Sequence, residues 1–393
     1  MQGEVPEVVV RWPANFNEVP KEVFQREDVY RLELERIFYG PDWHPVAHTA
    51  ELPEVGNYKS AQLGEMQLLV LRGDDGKVRV FHNACPHRGT RLATAGRGTV
   101  ERVQCPYHRW LFNTRGELLG APGQEEFPAT FRREDYGLKE MRSAILHGLV
   151  FVTCAADGPD LETFIGEAAT SIGNVLNKGK LKLLGYQKVS FASNWKEYSD
   201  NEGYHAPLLH RAFRLLKFQA GKGVQYATAY GHKFIDAQVQ KNPPAEFLSD
   251  PSLVEFKDPD EPPRSAIIVL YPLTLMVKHL DVINVRFAFP LSQHETEVHY
   301  AYFARDNDDD EMVRHRIRQA SNLLGPSGFI SLEDGAVFNR LHEGSTTPGT
   351  VAFQKGFSGP LQGPCSTGQN DEAINLVRWE RYRKTMGFDR VQS

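Results

Sequence analysis

Two short stretches, Cys85-Pro-His87 and Cys105-Pro-Tyr-His108, lie 17 residues apart and constrain the fold of this chain more than anything else in it. Two thiolates and two imidazoles can hold one tetrahedral zinc, or a two-iron, two-sulfide cluster with both cysteines on one iron and both histidines on the other. The spacing separates the readings. Zinc knuckles usually pair like ligands, whereas each stretch here offers one cysteine and one histidine. Mixed pairing suits two irons, each stretch giving one ligand to each. Only four cysteines occur, Cys85, Cys105, Cys154 and Cys365, too few for a disulfide scaffold and in keeping with a reducing compartment.

The surroundings read as short strands and turns. From about Glu33 to Val152, runs such as MQLLVLRGDDGKVRVFHNA and LFNTRGELLG alternate apolar and polar residues around turn signals, predicting a compact antiparallel β domain with both ligand stretches at hairpin tips. Pro86 and Pro106 follow the cysteines, stiffening each loop and removing a competing donor, so that backbone N–H groups can aim at sulfur. After Asp157-Gly-Pro the pattern changes: LETFIGEAATSIGNVL and the segment from Asn194 to Phe218 read as helical, between strands such as KLLGYQKVSFA, INVRFAFP and EVHYAYFA. The 393 residues accommodate two domains of ~100–200 residues, the second α+β. The acidic run Asp306 to Glu311 reads as a solvated loop opening a helix. A net charge of −5 without a basic block offers nucleic acid no footprint. The N-terminus lacks a signal peptide's basic start and apolar run, and the apolar stretches are too short to span a bilayer. A soluble, cytoplasmic protein with no membrane partner is expected.

A second constellation lies in that α+β part. His205 and His210 stand five positions apart in DNEGYHAPLLH; on an unbroken helix they would point about 140° apart, too far for one ion. Pro207 ends or kinks the helix, letting the chain fold His210 back toward His205. Two neutral imidazoles and one carboxylate, with positions left open, form the facial triad of non-haem Fe(II) oxygenases. Spacing does not choose the carboxylate among Glu197, Asp200, Glu202, Glu333 and Asp334. Glu202, three residues before His205, can accept a hydrogen bond from that ring.

Together, the two ligand stretches with Arg88-Gly89 and Arg109-Trp110, the segment NWK…DNEGYHAPLLH and Gly325-Pro-Ser-Gly-Phe…Glu333-Asp334 resemble the alpha subunits of Rieske non-haem iron aromatic-ring-hydroxylating oxygenases. The likeness runs from about Phe38 to the terminal RYRKTMG. It implies an α+β fold, with an antiparallel β Rieske domain over 38–155 and a helix-grip-like catalytic domain, its curved antiparallel sheet and helices drawn from 1–37 and 156–393. It implies a Rieske [2Fe-2S] cluster on Cys85, His87, Cys105 and His108, and a mononuclear Fe(II) on His205, His210 and Asp334, with Glu333 the next choice. Electrons would come from a reductase or ferredoxin, NAD(P)H serving only through that partner, and subunits would pack head to tail as a homotrimer or α3β3. Glu202 stands where the family usually has an aspartate bridging the iron-ligand histidine to a Rieske histidine of the neighbouring subunit, here His108; Asp200 is the other candidate.

The pocket is expected between His210 and Asp334, lined by Phe213, Leu216, Phe218, Leu324 and Ile330, which suits a flat apolar small-molecule substrate. Arg286 interrupts the apolar run from Ile283 to Pro290; in a pocket it could grip a carboxylate through two hydrogen bonds. The later half is most similar to the terephthalate, salicylate and anthranilate branch, implying mono- or dioxygenation of an aromatic acid. A glutamate bridge is also seen in the quaternary-ammonium branch, leaving oxidative N-demethylation as the alternative and a pure Rieske electron carrier as a third reading.

Overall fold

The structure is a computed structural model and describes residues 8–201, 203–216, 223–239, 245–246, 248–258 and 264–391, with backbone alone for 214–216 and 238. The chain forms two compact units, Phe38–Leu161 and Met1–Ile37 joined with Glu162–Ser393. The fold is α+β with antiparallel sheets.

In the Phe38–Leu161 unit, strands Asn57–Leu63, Met66–Arg72, Val78–His82 and Arg97–Thr99 form a four-stranded sheet. Val103–Gln104, Leu111–Phe112 and Leu118–Gly120 form a smaller one. Leu69, Leu71, Phe81, Trp110 and Phe112 make one apolar cluster with Cys85 and Cys105, so these thiols are rooted in the core. Burying each large apolar side chain is worth about 1.5–3 kcal/mol. Only Cys105–His108 sits at a hairpin tip. Cys85–His87 lies on the connection between Val78–His82 and Arg97–Thr99, opposite edges of the sheet in the order 78–82, 66–72, 57–63, 97–99. A connection that crosses a sheet cannot lean on one hairpin, and buried Asn83 closes it instead: Oδ1 accepts from the N–H groups of Leu92 and Ala93, and Nδ2 donates to Ala93 O.

The other unit is built on eight antiparallel strands: β1 (Leu181–Phe191), β2 (Val224–Ala227), β3 (Lys233–Gln238), β4 (Arg264–Leu270), β5 (Thr274–His279), β6 (Val282–Ser292), β7 (Glu295–Arg305) and β8 (Cys365–Gly368). Their order is β1-β7-β6-β5-β4-β3-β2-β8. Cross-strand pairing sets Leu275 opposite Arg286 and Val269, Val277 opposite Ile267, and His279 opposite Ser265. Side chains opposite each other share a face, as do alternate residues of a strand, so these positions form one surface.

Helices α1 (Glu27–Glu33), α2 (Trp195–Ser199), α3 (Ala206–Leu209), α4 (Arg211–Leu216), α5 (Asp310–Gln319), α6 (Ser331–Ser345) and α7 (Asn375–Met386) complete the part that concerns the site. The segment from Asn194 to Leu216 is not the longer helix its pattern predicts but three short ones. Ser199-Asp200-Asn201 halts α2, because such side chains compete for backbone groups and Asp200 serves as its C-cap. LETFIGEAATSIGNVL likewise divides, into Leu161–Ile165 and Ala168–Val175, where Gly166 takes a left-handed φ of 52°. The acidic run opens α5 as expected, Asp309 capping it by accepting from Met312 N, yet Asp308 is not solvated: it binds the buried Arg316 at 2.6 Å. No helix among the described residues is long and apolar enough to cross a membrane.

Candidate metal centres

The two cysteine loops share one backbone design despite their different sequences. In the first, Cys85 N donates to Thr90 O and Gly89 N to Cys85 O; in the second, Cys105 N donates to Trp110 O and Arg109 N to Cys105 O. The residue four after each cysteine is left-handed, Gly89 at φ 72° and Arg109 at φ 59°. That conformation is free for glycine and costs arginine of order 1 kcal/mol. The N–H groups of His87 and Arg88 point at the Cys85 sulfur, and the Cys105 thiol lies against it. Both thiols are buried, whereas His87 is exposed and His108 half-exposed. Trp110 stacks on the His87 ring at 4.7 Å. Among the described residues, only His205, His210 and Asp334 bring three ligand atoms within 4.8 Å of one another. The Cys/His set is spread more widely, as two irons require and one zinc does not.

His205 and His210 meet across α3. His205 is its N-cap and His210 its C-cap, where ψ of 112° turns the chain outward; the rings lie 5.1 Å apart. Pro207 therefore acts differently from the sequence expectation. It occupies the first turn, where its missing N–H costs nothing, and starts a helix so short that the five-residue spacing closes instead of diverging. Asp334 comes from the first turn of α6, where a carboxylate also suits the helix dipole. Its Oδ1 lies 3.5 Å from His205 Nε2 and 3.3 Å from His210 Nε2, and Asn201 Nδ2 reaches it at 3.3 Å. Burial opposes ionisation of Asp334, but His205, His210 and Arg286 hold its carboxyl below the usual range; burial pushes His210 down as well. Ionised carboxylate and neutral imidazole are the ligand-competent forms. Glu333 stands outside this group, 3.4 Å from His210 Nδ1 and accepting from Arg211 N.

A cavity of about 80 Å³ opens on the triad. Of the residues expected there, Phe213, Leu324, Ile330 and Arg286 line it. Glu202, Phe218 and the side chain of Leu216 lie outside the described residues. Asp200 turns elsewhere, its carboxylate accepting from Trp379 Nε1 at 3.1 Å. Arg286 is 7% exposed, and its Nη2 makes only long contacts, to Ser331 Oγ at 3.3 Å and Leu324 O at 3.5 Å. The guanidinium lies 4.7 Å from the Tyr300 ring and has no carboxylate partner among the described residues. Burial works against its charge, yet its pKa is raised, and the ionised Asp334 is the one carboxylate among the described residues that favours the cation. Asn201, Ser265 and His279 also line the cavity and had not been singled out; the period-2 pattern that puts Leu275, Val277 and His279 on one face was the available signal. A second cavity, about 390 Å³, reaches His205 and Asp334 beside α6.

Fold and ligand sets together define a protein of the two-centre non-haem iron class. The profile of the Rieske [2Fe-2S] domain matches residues 42–138, and that of the ring hydroxylating alpha subunit catalytic domain matches 179–370. Terephthalate 1,2-dioxygenase terminal oxygenase component subunit alpha 2 of Comamonas sp. is 30% identical over 97% of this chain and 98% of its own. The large oxygenase component of salicylate 5-hydroxylase from Ralstonia sp. is 29% identical over 96% of each. The crystal structure of naphthalene 1,2-dioxygenase from Rhodococcus sp. bound to indole shares the fold, with a TM-score of 0.81 and 23% identity over 94% of each chain. The chain belongs to the family of Rieske non-haem iron ring-hydroxylating oxygenase alpha subunits. It is an oxidoreductase with a Rieske [2Fe-2S] cluster and a mononuclear iron as its cofactors.

Proposed function

We propose that this chain is a terminal oxygenase that hydroxylates an aromatic carboxylate, fed with electrons by a separate reductase or ferredoxin that draws them from NAD(P)H. Cys85, His87, Cys105 and His108 hold the cluster; His205, His210 and Asp334 hold the iron. When bound, the cluster would supply electrons singly and the iron would supply a site for O₂ activation. The chain's own residues do the rest. Glu333, 3.4 Å from His210 Nδ1, lies where it can back that ring. Phe213, Leu324 and Ile330 keep water from the ring.

The observation that carries the substrate class is Arg286, a buried cation with no carboxylate within ion-pair distance among the described residues, Asp334 acting on it only from farther off, in the cavity that also holds the triad. A carboxylate there completes two charge-assisted hydrogen bonds and fixes the ring relative to the iron. The relatives are named for terephthalate and salicylate, both aromatic acids. Oxidative N-demethylation is the lesser reading, because a quaternary ammonium favours an aromatic cage and Phe213 is the only Phe, Tyr or Trp lining the cavity among the described residues.

Electron supply across a trimer, with Glu202 linking His205 to His108 of the neighbouring subunit, completes the proposal. The occupied Asp200 carboxylate supports Glu202 over Asp200 for that link. Iron and acid-labile sulfide should occur at about 3:2 per chain, one iron beyond the cluster's two. His205→Ala should remove that one iron and keep the cluster's visible absorption. A 2:2 ratio in the intact protein, or loss of the cluster with the iron, would count against two separate sites. Arg286→Gln should raise KM for an aromatic acid tenfold or more with the iron retained; an unchanged KM would overturn the carboxylate assignment.

A further inference from the structure

The cavity has two polar ends, and Arg286 occupies only one. On β6 it lies opposite Leu275 of β5, which lies opposite Val269 of β4. Two residues along the strands the positions that line the cavity are Val277 and Ile267, both apolar; Asn284, opposite Val277 on β6, shares the row but does not line the cavity. Two further along they are His279 and Ser265, again directly opposite each other, and both line the cavity although only 1% and 3% exposed. Along the cavity wall the sheet thus presents a cationic position, an apolar pair and a neutral hydrogen-bonding pair. Four residues of strand separate the first from the last, roughly 13 Å. Between backbone positions, that span is of the order of one ring with a substituent at each end and a hydrogen bond of about 2.9 Å to each.

We infer that Ser265 and His279 form a selectivity subsite for a neutral hydrogen-bonding substituent, a hydroxyl or amine, carried meta or para to the carboxylate that Arg286 holds. The inference rests on the carboxylate assignment above and adds the position and charge of a second group. An ortho hydroxyl or amine lies beside the carboxylate and cannot reach the far row. A second carboxylate reaches it but finds no cation, since no lysine or arginine besides Arg286 lines the cavity among the described residues. An unpaired anion buried there is expensive, whereas a hydroxyl can both donate and accept.

Calorimetric titration of the iron-loaded oxygenase, without reductant, tests this with benzoate, 2-hydroxybenzoate, 4-hydroxybenzoate and terephthalate. The wild type should bind 4-hydroxybenzoate at least tenfold more tightly than benzoate, and the other two no more tightly than benzoate. Ser265→Ala and His279→Leu should each remove most of that advantage while leaving benzoate within about twofold, and His279→Gln should keep part of it. If His279→Leu loses iron, Ser265→Ala decides. Equal affinity for benzoate and 4-hydroxybenzoate in the wild type overturns the subsite alone, as does a variant that weakens both acids equally. Failure of every acid to bind, or Arg286→Gln binding them as the wild type does, overturns the carboxylate assignment and the subsite with it.

Discussion

Around His210 the decisive contacts are a few ångströms long. Glu333 at 3.4 Å from Nδ1 can take a proton from the ring nitrogen that faces away from Asp334. Such partners typically tune metal affinity by ~10–100-fold. Glu333→Gln should therefore weaken iron binding within that range without abolishing it, as measured by competition with a chelator; loss as complete as that of Asp334→Ala would make Glu333 a ligand. Two other histidines bear on stability. His48 and His232 are fully buried, each holding a backbone carbonyl through Nε2 and accepting a backbone N–H at Nδ1. Burial lowers them to about 4 and about 3. The unfolded chain binds these protons below about 6.5 and the folded chain does not, so stability is whole above that pH and drains as pH falls toward 4 for His48 and 3 for His232. Each should remove about 1.4 kcal/mol per pH unit, and urea midpoints at pH 7 and pH 5 should differ accordingly; equal midpoints would show that neither ring is held neutral. At this scale the spacing of Cys85–His87 and Cys105–His108 pointed to two matching loops, and the two do share one backbone design. The sequence was not legible where a side chain acts through the fold: nothing local marks Asn83 as a loop closure or Asn201 as a neighbour of Asp334.

Helices α1, α2 and α7 meet at one buried carboxylate. Glu33 accepts from Lys196 Nζ at 2.5 Å, Trp195 Nε1 at 2.7 Å and Tyr382 OH at 2.5 Å, with Glu33 and the Lys196 side chain at most 3% exposed. Removing one partner strands the other charge. Glu33→Leu alone should cost about 3–5 kcal/mol, and adding Lys196→Met should recover part of it; thermal unfolding of the two variants distinguishes this from a pair that contributes nothing. A second clasp holds the chain just before His205 and His210. Lys233 on β3 donates to Asn201 O and to Asn375 Oδ1, and Asn375 Nδ2 donates to Asp200 O. Asn375→Ala should lower iron occupancy while leaving cluster absorption unchanged, and full occupancy would show that the clasp does not steer the site. The strands of both units could be read from their alternation, because a half-buried sheet enforces period 2. The helix pattern after Asn194 misled, because the buried residues there face several partners and the breaks at Asp200 and His210 depend on tertiary contacts.

For the whole molecule the resemblance carried more than patterning could, since nothing in 393 residues of alternation specifies how subunits associate. If electrons pass between subunits as proposed, mixing His108→Ala chains, defective in the cluster, with Asp334→Ala chains, defective in the iron, should restore part of the activity that neither has alone. Inactive mixed oligomers would confine transfer to one chain. The placement of Cys85 and Cys105, proposed to hold the cluster, has a consequence of another kind, for assembly and survival. Cys85 and Cys105 lie against each other in the core, while Cys154 and Cys365 are separate and half-buried. A chain stripped of its cluster in air holds two sulfurs poised to couple, and once coupled they can no longer accept iron. The free-thiol count should then fall from the four present by two, recover with dithiothreitol, and set whether the chain can be refilled: cluster insertion, in the cell or the tube, has to outrun oxidation of its own socket.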